Sequence, residues 1–326
     1  MLSCWVLTDG KAGMESQCLG LAEALGLSPV IKRVALRAFW RKVTPFLRFG
    51  GAMQFAPESD ALAPPWPDLV IAAGRQSVAP SLWVKRASGG RTRLIQLQNP
   101  GIAWRQFDLI VTPEHDRLRG SNVISTRGSL HRVTPSVLSR AAEKWSSVFS
   151  DLPRPYIAVL VGGSNGVYRL GPDEITKFAG KLSDCARAVN GSLLITPSRR
   201  TGDAARAALA QALNGVPHYL WDMMGDNPYF GLLGLADFVV VTCDSVNMIS
   251  EAASTGKAVF VEVLPGGSAK SQRFLNELRM SGVVRDFNGH LSFYAHAPLD
   301  DMSKVLGRVR DILPELCSSD DSRMKA

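Results

Sequence analysis

The first half of the chain alternates short apolar runs with longer segments of helical periodicity. Five of the apolar runs have the length and composition of strands, and they cover residues 3–8, 30–36, 68–73, 93–97 and 109–112. Residues 12–25 instead place Cys18, Leu21, Ala22 and Leu25 on one side of a helix. Strands that alternate with helices predict βαβ units and a parallel sheet.

The second half restarts the same pattern after a helix predicted over 134–149 and a proline-rich linker at 151–155. Its predicted strands cover 156–161, 193–196, 218–221, 238–241 and 259–263, and residues 172–189 are predicted to be helical. The pattern therefore predicts an α/β protein of two tandem Rossmann-like domains. We expect the boundary near residue 150, giving domains 1–150 and 151–326, the second ending in a C-terminal helix.

Small polar residues follow the first strand of the second half, where open parallel sheets bind ligands. Gly162, Gly163, Ser164 and Asn165 belong to the turn GGSNG, whose backbone N–H groups could cradle a phosphate or simply make a tight turn. The turn does not match G-x-x-x-x-G-K-[ST], which disfavours a P-loop ATPase.

Cations follow the next strand, at Ser198, Arg199 and Arg200. Two adjacent guanidinium groups can neutralise a diphosphate through charge-assisted hydrogen bonds, and a solvated loop is the plainer interpretation. We interpret the three residues as part of a site for an anionic donor.

The stretch VVVTCDSVNMISEAASTGKAV brings polar groups to the end of a buried strand. Ser245 could cap the following helix, whose N-terminus favours an anion. Glu251 could accept hydrogen bonds from two hydroxyls of a ribose or hexose. Asp244, Ser245, Asn247 and Glu251 are thus predicted to bind a donor, unless they are only caps and helix surface.

Candidate bases follow strands of the first half. Asp9 comes after the first strand, and Glu114, His115 and Asp116 come after the fifth. A carboxylate next to an imidazole can orient it for proton abstraction, although a capped turn with solvated charges would look the same.

Further polar residues in the first half could bind an acceptor or sugar hydroxyls: Lys11, Gln98 and Asn99. Lys11 lies in the loop after the first strand, and Gln98 and Asn99 close the fourth.

The chain carries a formal net charge of +8, which suits phosphorylated ligands, an anionic membrane or nucleic acid. Segment 31–51, IKRVALRAFWRKVTPFLRFGG, mixes cations with aromatic residues and could dock on an anionic membrane or form an amphipathic core element. No RNA-binding motif accompanies it, so a nucleic-acid partner is not expected. The five Cys form no C-x-x-C pair and the His show no ligand spacing, which indicates a reducing compartment and no structural zinc.

Several motifs together resemble the ELM1-like family of GT-B glycosyltransferases. The match is carried by TDGKAGMESQCLGLAEAL (8–25), QLQNPG (96–101), TPEHDRL (112–118), TRGSLHRVT (126–134), VLVGGSNG (159–166), TPSRRTGD (196–203) and residues 227–257. One departure is Met14, where the related pattern often has His, and this weakens any catalytic role for position 14.

The resemblance implies a GT-B-like fold with a cleft between the two domains. It further implies a nucleotide-sugar donor bound mainly by the second half, and an acceptor and catalytic base from the first. Enzymes of this type generally use helix termini and basic side chains rather than a metal to stabilise the departing diphosphate, so no metal and no cofactor are expected.

The leading hypothesis is a glycosyltransferase that moves a sugar to a cell-envelope glycan or lipid acceptor. The alternatives are a nucleotide-sugar epimerase and a non-catalytic adaptor of a membrane-remodelling partner. A dehydrogenase is disfavoured because the turn TDGKAG lacks G-x-G-x-x-G. The absence of a signal-peptide pattern favours a cytoplasmic protein, with peripheral attachment to the inner face of the membrane as an option.

Overall fold

The computed structural model describes residues 2–43 and 54–314, apart from the side chain of Arg41. Within these residues the chain forms two compact units. The first comprises residues up to 132 together with those from 300 onward, and the second comprises residues 133–299. None of the described helices is long and apolar enough to span a bilayer.

The first unit contains a parallel six-stranded sheet in the order β2-β1-β3-β4-β5-β6. Its strands are β1 (Cys4–Thr8), β2 (Val30–Arg33), β3 (Leu69–Ala73), β4 (Arg93–Leu97), β5 (Leu109–Pro113) and β6 (Val123–Thr126). Its helices are α1 (Ala12–Ala24), α2 (Ala38–Val43), α3 (Val78–Ala87) and, from the end of the chain, α10 (Met302–Ile312).

Alternate residues of β1 and β3 belong to two separate cores, one on each face of this sheet. Val6 and Ile71 belong to the core that includes Val305 and Val309 of α10. Trp5, Leu7 and Val70 belong to the core on the opposite face. This division follows from the two-residue period of a strand, and it explains why β3 is apolar throughout and β1 up to Thr8.

The second unit contains a parallel six-stranded sheet in the order β12-β11-β10-β7-β8-β9. Its strands are β7 (Tyr156–Val161), β8 (Ser192–Pro197), β9 (His218–Leu220), β10 (Phe238–Thr242), β11 (Ala258–Glu262) and β12 (Val284–Asp286). Its helices are α4 (Pro135–Ser146), α5 (Pro172–Ala188), α6 (Asp203–Ala212), α7 (Tyr229–Leu235), α8 (Val246–Ala253) and α9 (Ala269–Met280).

The helix predicted before the linker packs within the second unit. A Cβ added at Gly231 of α7 would lie 2.5 Å from the Trp145 ring, and one at Gly234 would lie 2.6 Å from the Leu138 carbonyl oxygen. Such distances are below any ordinary contact, so the two glycines let α7 lie directly on α4.

The C-terminal helix belongs to the first unit. Val305 and Val309 are fully buried in its core, and the Asp301 carboxylate accepts hydrogen bonds from the backbone N–H groups of Arg127 and Gly128. The fold thus has the two tandem Rossmann-like units expected from the sequence. The units divide at 132/133, and α10 returns to the first unit, whereas the predicted boundary was near 150 with the last helix in the second domain.

Each sheet reverses its strand order once. The reversal lies between β1 and β3 in the first unit and between β7 and β10 in the second. At such a point the connections on the two sides lead away from each other, which leaves room for a ligand beyond the carboxyl ends of the two strands.

Replacing Gly234 by Ala is expected to destabilise the second unit by about 1–3 kcal/mol, because the new methyl group must push α7 away from α4. Urea denaturation measures the change. The matched control is Gly180→Ala in α5, where an added Cβ meets no atom within 4 Å. That variant should gain up to about 1 kcal/mol from helix propensity. Equal effects of both substitutions would contradict the packing described for α4 and α7.

Candidate functional site

A buried carboxylate joins β7 to β10 at the point where the strand order reverses in the second unit. The Gly163 N–H donates to Asp244 Oδ2 at 3.0 Å, and Thr242 Oγ1 donates to Asp244 Oδ1 at 2.7 Å. The Gly162 N–H in turn donates to Thr242 Oγ1 at 2.8 Å. A Cβ at Gly162 would lie 2.2 Å from the Asp244 oxygens, so only glycine allows this approach.

Arg200 supplies the counter-charge of this carboxylate. Its Nη2 lies 2.8 Å from Asp244 Oδ2, and the Asp244 side chain is completely buried while that of Arg200 is 40% exposed. Removing the cation from a buried carboxylate strongly lowers the stability of the fold. The pair therefore holds the loops after β7, β8 and β10 together. The exposed part of Arg200 remains accessible from solvent.

Ser198 fixes the start of the loop after β8. Its hydroxyl donates to the Gly162 carbonyl oxygen at 2.8 Å and accepts from the Arg200 N–H at 3.2 Å. Thr201 also donates its hydroxyl to the Gly162 carbonyl. The loops after β7 and β8 therefore form one hydrogen-bonded unit.

Arg199 does not share the position of Arg200. It lines an open cavity of about 220 Å³ between the loop after β8, the start of α6 and the loop after β9. The cavity is bounded by Ser198, Arg199, Gly202, Asp203, Arg206 and Met223. Arg199 and Arg200, which were predicted to bind one diphosphate together, thus have different surroundings. Arg200 pairs with Asp244, and Arg199 lines this cavity.

The side chains of the loop after β7 mainly fold the loop itself. Ser164 Oγ accepts from the Leu170 N–H at 2.9 Å, and Asn165 Oδ1 accepts from the Val167 N–H at 2.9 Å. Asn165 Nδ2 also reaches the Asp244 carbonyl oxygen at 3.4 Å. The backbone N–H groups of Gly162, Gly163 and Asn165 are likewise used within the protein, by Thr242, Asp244 and the Tyr168 carbonyl oxygen.

Helix α8 begins at Ser245, as its sequence indicates. Ser245 Oγ accepts from the Met248 N–H at 3.4 Å, which confirms the predicted N-cap. Asn247 lies in the first turn and is half-buried. The positive end of the α8 dipole therefore lies beside the loop that carries Gly162 and Gly163.

Glu251 is buried and hydrogen-bonded. The alternative prediction, that it is only an exposed residue on the helix surface, is wrong. The Glu251 side chain accepts a hydrogen bond of 2.5 Å from the Tyr229 hydroxyl, across 22 residues of sequence. Burial and the neighbouring Glu251 carboxylate raise the pKa of Tyr229 well above its ordinary value. Tyr229 therefore stays a hydrogen-bond donor throughout the neutral range.

In the first unit, Asp9 and Lys11 lie where the strand order reverses. Lys11 Nζ lies 2.5 Å from Asp9 Oδ2, and the Lys11 N–H donates to Asp9 Oδ1 at 3.3 Å. The Asp9 side chain is only 11% exposed and that of Lys11 is 63% exposed. The loop after β1 thus presents a paired carboxylate and an accessible cation.

Glu114, His115 and Asp116 form a short 3-10 turn after β5. Asp116 Oδ2 accepts from Thr112 Oγ1 at 3.1 Å, His115 is buried, and Glu114 Oε1 lies 4.0 Å from Lys304 Nζ. Strands β3 and β4 separate β5 from β1, which corresponds to about 14 Å between strand axes. Asp9 and this turn are therefore not brought together.

Gln98 and Asn99 lie directly after β4, the strand that pairs with β5. Gln98 has a φ of 70°, which is uncommon for a residue with a side chain, and its N–H donates to the Val111 carbonyl oxygen at 2.7 Å. Asn99 Oδ1 accepts from the Gly101 N–H at 2.8 Å. Both residues are half-buried, and Gln98 lines a small cavity of about 10 Å³.

Three polar residues near the two reversals of strand order were not predicted as site residues. Arg75 follows Gly74 after β3, the strand that lies next to β1 at the reversal. The predicted strand 68–73 ends two residues earlier, so its position was a signal that could have identified Arg75. Thr242 is one of the polar residues that follow the predicted strand 238–241, but no role was predicted for it. Tyr229 carried no local signal, because its partner is on another helix.

Only part of the basic aromatic segment 31–51 can be described, since residues 44–53 lie outside the described ranges. Phe39 of α2 is 61% exposed and packs edge-on against Trp40, with ring centroids 5.5 Å apart. Lys32 Nζ lies 5.2 Å from the centroid of Trp5, so this cation covers a core side chain. The described part thus contains one exposed aromatic ring and one cation used in packing.

Comparison with a solved structure establishes the type of fold. The UDP-GlcNAc 2-epimerase of Methanocaldococcus jannaschii, solved in complex with UDP-GlcNAc and UDP, superimposes with a TM-score of 0.54. The alignment covers 95% of this chain and 99% of the epimerase at 10% identity. At that identity the likeness concerns the fold alone, which is GT-B-like, with two Rossmann-like units.

Sequence relatives are found in a plant and in a bacterium. The mitochondrial fission protein ELM1 of Arabidopsis thaliana is 31% identical over 271 residues, which are 75% of this chain and 63% of the plant protein. The alignment thus spans less than two thirds of the plant protein. An uncharacterized protein of Rickettsia prowazekii is 24% identical over 93% of this chain and 96% of its own length. Residues 12–313 also match the family described as mitochondrial fission ELM1, and the chain belongs to that family.

Proposed function

We propose that the second unit binds a nucleotide-sugar at the ends of β7, β8 and β10, and that the protein transfers the sugar to a cell-envelope glycan or lipid acceptor. The observation that carries this proposal is the junction at the strand reversal. There the Gly162–Gly163 backbone, the N-terminus of α8 and the partly exposed Arg200 meet over a buried carboxylate.

A diphosphate suits this junction for electrostatic reasons. The positive end of the α8 dipole stabilises an anion without a metal, whereas the N–H groups of Gly162 and Gly163 are already used by Thr242 and Asp244. The Arg200–Asp244 pair contributes a cation that is already held in place, so little side-chain order is lost on binding. Arg199, in the adjoining cavity, can bind a second part of the same ligand. These groups would also stabilise the charge of a departing nucleoside diphosphate.

The residues proposed for acceptor binding and proton abstraction are in the first unit. Asp9 is our first choice of base, because it lies at the strand reversal beside the accessible Lys11. Glu114, His115 and Asp116 are the second choice, since Asp116 accepts from Thr112 at the end of β5 and Glu114 lies near Lys304 of α10. Gln98 and Asn99 are proposed to bind sugar hydroxyls. The reaction as proposed uses neither a metal nor a cofactor.

A nucleotide-sugar epimerase is the second candidate. It is favoured by the fold shared with a UDP-GlcNAc 2-epimerase, whose solved structure contains UDP-GlcNAc and UDP. An epimerase converts the donor without a second substrate. A changed sugar formed from the nucleotide-sugar alone would therefore support it over a transferase.

A non-catalytic adaptor of a membrane-remodelling partner is the third candidate, and the name of the plant relative supports it. The exposed Phe39 in a basic segment is compatible with attachment to an anionic membrane, for an adaptor or for a transferase with a lipid-linked acceptor. An adaptor does not require a nucleotide, so nucleotide binding separates it from the other two.

Arg199→Ala is expected to weaken the binding of a nucleoside diphosphate by about tenfold or more, the effect of losing one hydrogen bond to a charged group. Thermal shift against UDP, ADP, GDP and CDP, with and without attached sugars, identifies the ligand, and calorimetry gives the dissociation constants. Arg187→Ala, an exposed arginine of α5 in the same unit, is the matched control and should bind normally. If none of these nucleotides binds the unmodified protein, the enzyme proposals fail and the adaptor is favoured.

Asp9→Asn is expected to slow sugar transfer by about a hundredfold or more while leaving donor affinity unchanged, because a general base acts on the acceptor. The rate of nucleoside diphosphate release in the presence of a bacterial envelope extract measures it. Asp116→Asn provides the comparison and should retain a rate within about threefold of the unmodified protein if Asp9 is the base. The reverse pattern would assign proton abstraction to the turn after β5.

A further inference from the structure

We propose that the first unit binds a phosphate ester through Lys11 and Arg75, and that the acceptor of the proposed reaction carries this group. The inference rests on the proposed function and names the chemical class of its acceptor. The observation behind it is a pair of exposed cations on the loops that follow β1 and β3. The strand order of the first sheet reverses between these two strands.

The two loops start next to each other. Strands β1 and β3 are paired in parallel, so the residues that follow them begin about 5 Å apart. A Cβ added at Gly74 would lie 2.7 Å from Met14 Sδ, which places the first turn of α1 directly against the end of β3. From there α1 packs on one face of the sheet and α3 on the other. Lys11 and Arg75 therefore extend from the two sides of the crevice that the reversal creates.

The loop that carries Arg75 has a fixed backbone. The Gly74 carbonyl oxygen accepts from Ser77 Oγ at 2.8 Å and from Gln96 Nε2 at 2.9 Å. The Gly74 N–H donates to the Leu97 carbonyl oxygen at 3.2 Å. Gly74 also has a φ of 80°, a conformation that favours glycine. The point from which the Arg75 side chain extends is thus set by the sheet.

Arg75 has no counter-charge among the described residues. Its side chain is exposed and makes no hydrogen bond or ion pair with any of them. Lys11 differs, since its Nζ and its backbone N–H both bind the Asp9 carboxylate. Asp9 therefore neutralises Lys11 and leaves the charge of Arg75 uncompensated. A bound phosphate ester would supply the missing negative charge.

Phosphate suits this pair of side chains better than a carboxylate does. One guanidinium fork occupies both oxygens of a carboxylate. A phosphate monoester has three acceptor oxygens, so a lysine ammonium can contact it at the same time. Because Lys11 is held by Asp9, the phosphate would bring the adjoining part of the acceptor next to the base that we propose.

Ordinary solvated cations would give a different result. Arg33, after β2 of the same sheet, is already neutralised by Glu15, with Nη2 2.9 Å from Oε1. Separate solvated cations attract all small anions weakly and alike. A site formed by two side chains prefers a phosphate ester to acetate and loses affinity when either cation is removed.

The test uses NMR of isotope-labelled methionine methyl groups, because Met14 lies against the turn that precedes Arg75. The spectrum of Met14→Leu identifies the Met14 signal. The compounds added are glucose 1-phosphate, soluble dihexanoyl phosphatidic acid, and acetate as an anion without phosphorus. We expect the Met14 signal to shift saturably with a phosphate ester, with a dissociation constant of about 1 mM. Acetate should bind about tenfold more weakly or not at all.

Arg75→Gln and Lys11→Gln are each expected to weaken phosphate binding by about tenfold, the effect of losing one hydrogen bond to a charged group. Both side chains are exposed, so the variants should fold normally. Arg91→Gln is the matched control and should bind like the unmodified protein. Arg91 is an exposed arginine of the same unit that precedes β4, at the opposite end of the sheet.

The phosphate ester that binds more tightly identifies the source of the group. Preference for glucose 1-phosphate assigns it to a glycan acceptor, and preference for phosphatidic acid assigns it to a lipid acceptor. No shift of the Met14 signal with either ester overturns the inference. So does equal affinity for acetate, or an unchanged affinity in Arg75→Gln.

The failures of the two proposals are distinguishable in the same spectra. Met223 lines the cavity that contains Arg199, so its methyl group reports the binding of UDP, ADP, GDP or CDP to the second unit. A response of Met223 to a nucleotide without a response of Met14 to phosphate esters refutes only the present inference. The opposite result refutes the nucleotide-sugar donor, and with it the assignment of the phosphate to an acceptor, while the phosphate site itself stands.

Discussion

The site of the second unit depends on one buried carboxylate. Asp244 lies against Gly162, accepts from Gly163 and Thr242, and is neutralised by Arg200. Three strand ends are thereby joined by a group that would be unstable if any of its partners were missing. The absence of a side chain at Gly162 and the placement of Arg200 both follow from satisfying this charge.

The two units follow one plan but differ in what they present at the reversal of strand order. In the second unit the Asp244 side chain is sealed from solvent, and part of the Arg200 side chain is left outside. In the first unit Asp9 and Lys11 pair at the surface of the loop, and Arg75 follows the neighbouring strand. The second unit therefore presents mainly positive charge at its reversal, and the first presents a carboxylate with a cation beside it. This difference suits the proposal that the second unit binds the donor and the first binds the acceptor.

Much of the fold could be predicted because its signals are local. The strands at 93–97 and 156–161 have the predicted bounds, and Ser245 caps α8 as its position before the helix indicated. Strands β6 and β12 were not predicted, and in β12 Val284 is the one apolar residue. The different surroundings of Arg199 and Arg200 depend on the path of a loop, and the bond between Tyr229 and Glu251 joins separate helices. Such relations arise from tertiary packing, which periodicity along a sequence does not encode.

The position of α10 has a consequence for how the protein is made. Val305 and Val309 fill the core of the first unit, although they are translated after the whole of the second. A chain emerging from the ribosome can therefore complete the second unit while the first still lacks one wall of its core. The unit that is synthesised first is the last to become complete, and until then its central strands expose apolar surface that chaperones recognise.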